Sequence, residues 1–249
     1  MQRIFGRLVF AWFVLTLVVI VYATRLGLVV APTDALQGNV FRIFFYHVPT
    51  SQLSLLFPYS NFIASLCYLY WRNRSPSKAL LADAVAIASA EVAVVYASIC
   101  LLTGSIWGRV SWGIWWTWDP RLSSMLLLWL LYVSYLMLRK LSSTGQTYTL
   151  AAVLSVFAAI DVPIVYMSIR WWRTQHPAPV FFGGPDAGVD RSMYPAWIWN
   201  IIAWGMWGIF LVTFRFMLER RRQRAQGQAA LWSIEHGQYE MLGRANSTQ

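Results

Sequence analysis

The sequence predicts an all-α, polytopic membrane protein with six transmembrane helices and both termini in the cytoplasm. Three observations carry that expectation. The chain is 58% hydrophobic and only 12% charged, against roughly 25% charged residues in soluble domains. Six predominantly apolar runs divide it, each near the ~20 residues that a spanning helix needs. The net charge of +10 sits in short Lys and Arg clusters between those runs, a pattern of topology control that argues against a nucleic-acid partner.

Taken in order, the runs cover about 8–30, 49–71, 80–103, 122–139, 147–169 and 196–218. Arg3 and Arg7 precede the first, and Val21-Tyr22-Ala23 would suit a signal-peptide cleavage site. The run outlasts a typical signal h-region, so a retained first helix is expected. The second opens at Pro49, suited to a first helical turn whose N–H groups lack partners anyway, which leaves His47 at its outer lip. The third carries Asp83 and Glu91. The fifth contains Asp161-Val162-Pro163, where proline removes a backbone bond and is expected to bend the helix. Residues 1–224 read as one membrane domain and 225–249 as a polar cytoplasmic tail holding His236 and a short surface helix in LWSIEHGQYEML.

Six crossings put both termini on one side. The segments there carry Arg3, Arg7, Arg72, Arg74, Lys78, Arg139, Lys140, Arg220, Arg221, Arg222 and Arg224, which marks that side as cytoplasmic. The opposite loops, about 31–48, 104–121 and 170–195, hold fewer cations in more sequence: Arg42, Arg109, Arg121, Arg170, Arg173 and Arg191. The last of them, rich in Gly, Pro and Asp through FFGGPDAGVDRSMYP, reads as an ordered, turn-rich loop.

The second outer loop contains WGRVSWGIWWTWDPRLSS, with five tryptophans within the twelve residues from Trp107 to Trp118. One reading is an interfacial belt, since an indole is comfortable at headgroup level. The other is the wall of a flat, porphyrin-sized site, with Gly108 and Gly113 allowing close approach. Spacing alone leaves both open.

Of three histidines in the chain, His47 and His176 fall in the outer loops flanking that stretch. Neutral imidazole ligates transition metals and haem iron alike. A zinc site needs three or four protein ligands, and the outer loops add only Asp34, Asp119, Asp186 and Asp190. Cys67 and Cys100 lie apart within apolar runs and form no thiolate motif. A bis-histidine haem is more economical, with Arg42, Arg121 or Arg173 available to pair with propionates.

The tryptophan stretch, together with FYHVP and RWWRTQHP, resembles the "WWD" signature and histidine segments of the CcmC family of cytochrome c maturation. The likeness covers nearly the whole chain. It implies haem b held at the periplasmic face of a bacterial inner membrane, or of an organellar one in a homologue. By the resemblance, His47 and His176 are the axial ligands, and Trp107, Trp112, Trp115, Trp116, Trp118 and Asp119 form the haem platform in a loop at 104–124, to which Arg121 adds a cofactor-binding cation. It implies as partners the haem chaperone CcmE, which takes haem covalently, the transporter subunits CcmA and CcmB, the helper CcmD, and membrane lipid. Such a protein is a delivery and attachment factor rather than a classical enzyme.

Carboxylates inside membrane spans are functional-site candidates by default, although interhelical hydrogen bonding, with the acid neutral, is the simpler expectation for Asp83, Glu91 and Asp161. A proton-coupled or small-molecule transporter using these acids is the alternative function. It requires a continuous polar path, which three scattered acids do not make. A cytochrome b-type electron carrier would need histidines inside the helices at two depths.

Overall fold

The computed structural model describes residues 2–141, 145–178 and 189–247, and side chains from Ile4 to Ile234 within them. Asp186 and the whole FFGGPDAG segment lie outside the described residues, as does the side chain of His236. The chain is helical, with no strand among the described residues: α1 (Gln2–Arg25), α2 (Phe44–Trp71), α3 (Pro76–Trp112), α4 (Pro120–Leu141), α5 (Gly145–Ala159), α6 (Asp161–Trp171) and α7 (Tyr194–Ser247).

Among the described residues six segments are long and apolar enough to cross a membrane, Ile4–Val30, Asn39–Trp71, Pro76–Trp112, Pro120–Leu141, Gln146–Trp171 and Arg191–Ile234. They are the six runs read from the sequence, each extended beyond its apolar core. The extension has a physical reason: a helix need not stop where hydrophobicity stops, only where a cap or a proline stops it. Thus α3, with 37 residues, is about 55 Å long at ~1.5 Å per residue and outruns a bilayer core of ~30 Å. It ends at Gly113, whose φ of 77° is the left-handed cap conformation. The helix α7 runs unbroken from Tyr194 to Ser247, so the separate surface helix expected in the tail is instead its continuation.

The expected bend in the fifth span is a break. Ile160 separates α5 from α6, and Pro163 has no N–H to give to the carbonyl four residues before it. Asp161, buried at this break, has one carboxylate oxygen without a hydrogen-bond partner among the described residues.

The central element is α3. Its buried face is built from Ala79, Ala84, Ala86, Ala88, Ala90, Ala93 and Ala97, and such small side chains let helices approach closely in lipid, where packing rather than water exclusion holds them together. The core around it takes in Leu53 and Phe57 of α2 and Met125, Leu128, Tyr132 and Tyr135 of α4, with Val162 and Val165 of α6, which packs on α4, completing the cluster. Hydrogen bonds tie the layers: Asn61 Nδ2 donates to the Ala86 carbonyl at 2.8 Å, Trp129 Nε1 to Ser98 Oγ at 2.8 Å, and Tyr96 Oη to the Trp204 carbonyl at 2.6 Å. The first helix joins through Trp12 Nε1, which donates to the Met206 carbonyl at 3.1 Å, and through Asn200 Nδ2, which donates to the Ala23 carbonyl at 3.0 Å.

Two of the three span carboxylates are ion-paired rather than neutral partners. Asp83 receives a bidentate pair from Arg139 at 2.6 and 2.9 Å, and both are buried. Glu91 is paired with Arg215 of α7. Arg139, read from the sequence only as an inner-loop cation, is therefore also an interhelical contact.

Candidate functional site

At the end of the bundle where α2 begins and α3 ends lies a cleft with about 1340 Å³ of empty space, open solvent at its mouth included. His47, His176, Trp107, Trp112, Trp116 and Arg121 all line it. Residues from three distant stretches of chain thus converge on one space. Among the described residues no three His, Cys, Asp or Glu side chains gather as metal ligands would.

His47 is inside a helix rather than on its lip. The helix α2 starts at Phe44, five residues before Pro49, and the imidazole is only 7% exposed. Its Nδ1 lies 2.9 Å from Thr103 Oγ1 of α3, and its ring meets Trp107 edge-on at 5.7 Å. His176 stands in the segment after α6, half-buried. Its Nδ1 donates to the Pro177 carbonyl at 2.9 Å, since a carbonyl can only accept, and its backbone N–H donates to Thr174 Oγ1 at 3.1 Å. Burial, with the Arg121 guanidinium adding to it, lowers His176 to about 4. At neutral pH this ring is uncharged, the form that can ligate.

Trp107 donates Nε1–H to Gln37 Oε1 at 2.7 Å and packs against Phe41 and Phe44. Trp107 and Trp112 belong to α3, so the aromatic loop proper is only 113–119. The loop expected at 104–124 is mostly helix because Gly113 caps α3 and Pro120 opens α4.

The chain matches the family model "Heme exporter protein C" over residues 1–230. The chain belongs to that family. It is 37% identical to "Heme exporter protein C" of Bradyrhizobium diazoefficiens over 199 residues, 78% of this chain and 73% of that protein. It is 31% identical to the protein of the same name from Escherichia coli over 198 residues, 77% and 73% of the two chains. A ccmC-like mitochondrial protein of cytochrome c biosynthesis from Arabidopsis thaliana is 30% identical over 218 residues, covering 86% of this chain and 76% of that protein.

In this member of the heme exporter protein C family the aromatic stretch divides. Trp107, Trp112 and Trp116 line the cleft, whereas Trp115 and Trp118 do not and are 59% and 78% exposed. Trp116 Nε1 is buried and has no hydrogen-bond partner among the described residues. Asp119 does not line the cleft. One carboxylate oxygen accepts the Leu122 N–H at 2.9 Å, as an N-cap of α4 does, and the other accepts the Thr174 hydroxyl at 2.7 Å. It thereby ties the start of α4 to the segment carrying His176.

Arg121 projects into the cleft wall, donating to the Val165 carbonyl and to Ser51 Oγ. Among the described residues no carboxylate forms an ion pair with it. Arg42 donates instead to Asn39 and the Gly27 carbonyl, and neither it nor the exposed Arg173 lines the cleft. Sequence reading missed Gln37, Ser51, Gly104 and Tyr166, which line the same space, and Thr103, which hydrogen-bonds His47. Of these only Gly104 carried a signal, because a glycine inside an apolar helical run costs stability and usually has a packing reason.

Proposed function

We propose that this protein binds haem b in the outer cleft through His47 and His176 and delivers it to the periplasmic chaperone CcmE during cytochrome c maturation, within a complex containing CcmA, CcmB and CcmD. The observation that carries the reading is the convergence of two imidazoles, three indoles and a guanidinium without an ion-pair partner among the described residues on one cleft. The donor set suits the cargo: two neutral nitrogens for iron, flat aromatic surfaces for a macrocycle, and Arg121 for a propionate carboxylate. The orphaned Trp116 N–H is a second donor available to it.

On this reading the cleft faces the periplasm, or the equivalent side of an organellar inner membrane, and both termini face the cytoplasm. Residues 1–224 form the haem-handling domain and 225–249 a cytoplasmic tail. Trp115, Trp118 and Asp119 frame the cleft rather than floor it. Nothing here forms or breaks a bond on this chain's side chains; the role is delivery and attachment, not classical enzymatic turnover.

The test is the spectrum of the purified full-length protein. A low-spin, six-coordinate haem signal that is lost in His47→Ala and His176→Ala, along with chaperone loading, supports the assignment. If both variants keep wild-type haem and still load CcmE, the ligand assignment is wrong. His236→Ala is expected to change neither property.

A further inference from the structure

We propose that Thr103 is the positioning residue for His47: it holds the imidazole as the Nδ1-protonated tautomer and turns Nε2, with its lone pair, into the cleft. The inference rests on the reading of His47 as an iron ligand. The Thr103 hydroxyl has one hydrogen, and it is donated within α3 to the Ile99 carbonyl at 2.7 Å. What it offers His47 Nδ1 at 2.9 Å is therefore a lone pair, and the hydrogen between them belongs to the ring. A neutral imidazole carries only one N–H. The Cys100 backbone carbonyl is a second acceptor for this ring, and a carbonyl can only take the ring's single N–H; with that N–H on Nδ1, Nε2 is left as the acceptor that iron requires.

The neighbouring positions on α3 close the ring in. A Cβ at Gly104 would stand 3.0 Å from His47 Cε1 and 3.6 Å from Nδ1, so the imidazole rests against bare backbone. Trp107, one turn further along, meets the ring edge-on. Hydrogen bond, glycine shelf and indole edge together leave the ring one orientation. The outer partner of a ligating histidine sets its tautomer and raises its basicity. A hydroxyl does so without the full negative charge of a carboxylate, which suits a cargo that has to be released.

The experiment compares Thr103→Val, which keeps the shape but cannot accept a hydrogen bond, with Thr103→Ser, which can. Both are made in the full-length protein loaded with haem. Valine is expected to weaken haem retention roughly 10–100-fold and to move the reduction potential of the bound haem to more positive values, because a less basic ligand stabilises ferric iron less. Serine is expected to restore both. If Thr103→Val does not accumulate, Thr103→Ala replaces it, removing the acceptor without adding bulk.

Wild-type retention and potential in the valine or alanine variant, alongside haem loss in His47→Ala, would overturn this inference and leave the ligand reading intact. Haem retention in His47→Ala would overturn both.

Discussion

His47 and His176 border the same cleft, yet the chain holds them by opposite means. His47 lies in the first turn of α2 and is fixed by a side chain 56 positions away on another helix. Its place exists only once α2 and α3 have packed. His176 lies beyond the end of α6 and is held by its own neighbours, Pro177 and Thr174, with one tertiary hydrogen bond among the described residues, from Thr174 to Asp119. One imidazole is thus set by the packed bundle and the other by a local turn with one latch. Under the proposed function, one ligand would be set by the bundle and the other by a local turn, a difference that would suit a cargo taken up and then released.

The comparison breaks most directly at Gly104. A methyl group there would sit 3.0 Å from His47 Cε1, so the ring would have to shift by a few tenths of an ångström away from its contacts with Thr103 and Trp107. Gly104→Ala is expected to weaken haem binding about 10–100-fold, the range seen when support of a ligand is lost, measured by haem transfer to an excess of apo-globin. Wild-type transfer kinetics would show that His47 is as adjustable as His176, and the contrast would fall.

On the other side the latch can be separated from the helix cap it shares. Asp119→Ala removes both, costing about 1 kcal/mol at the N-cap and freeing the His176 segment. Asp119→Asn keeps an acceptor for the Leu122 N–H, but its amide nitrogen cannot accept the Thr174 hydroxyl. Both variants are expected to bind haem about tenfold more weakly, while only the alanine variant melts at a lower temperature. Equal melting of the two, or unchanged haem affinity in both, would deny Asp119 its double role.

Protonation competes with iron for an imidazole lone pair, so pH sharpens the comparison further. The ordinary value of 6.5 is lowered to about 4 in folded His176, by burial first and Arg121 second. Between those values the unfolded chain binds a proton that the folded one refuses. The stability contributed by this group is therefore intact above about 6.5 and falls as pH drops towards 4. Haem titrations are expected to stay flat through mildly acidic pH and to fail near pH 4. Arg121→Gln, which removes the positive charge, is expected to move that failure to higher pH; a lower or unchanged midpoint would mean that Arg121 does not act on His176.

How much of this could be read in advance depends on what each feature needs. The six spans were legible because about twenty apolar residues suffice to announce one. Their ends were less so: α3 continues to Trp112 because its stop is Gly113, a cap visible in the sequence but read there as space for a ligand. Asp119-Pro120 likewise carries the plain pattern of an N-cap followed by proline, and the aromatic residues around it drew attention away. The pairing of Asp83 with Arg139 and of Glu91 with Arg215 was not legible at all. It depends on the rotation of each helix about its axis and on which helices become neighbours, and neither is written in local spacing. Thr103 is hidden for the same reason.

The smallest expected effect returns to the tryptophans, which spacing alone could not divide between belt and wall. The structure separates them by position, with Trp116 lining the cleft and Trp118, two residues on and edge-to-face with it at 5.7 Å, 78% exposed. If the wall reading applies to the first and the belt reading to the second, Trp116→Ala removes a flat surface and an unpartnered N–H from the site, while Trp118→Ala removes only an outer ring. The first is expected to weaken haem binding several-fold, in line with the ~0.5–1.5 kcal/mol of a good aromatic contact. The second is expected to leave affinity unchanged within error and, if anything, to alter partition at the membrane surface. Equal losses in the two variants would mean that Trp118 also touches the cargo, and that the cleft extends across the ring now on its outside.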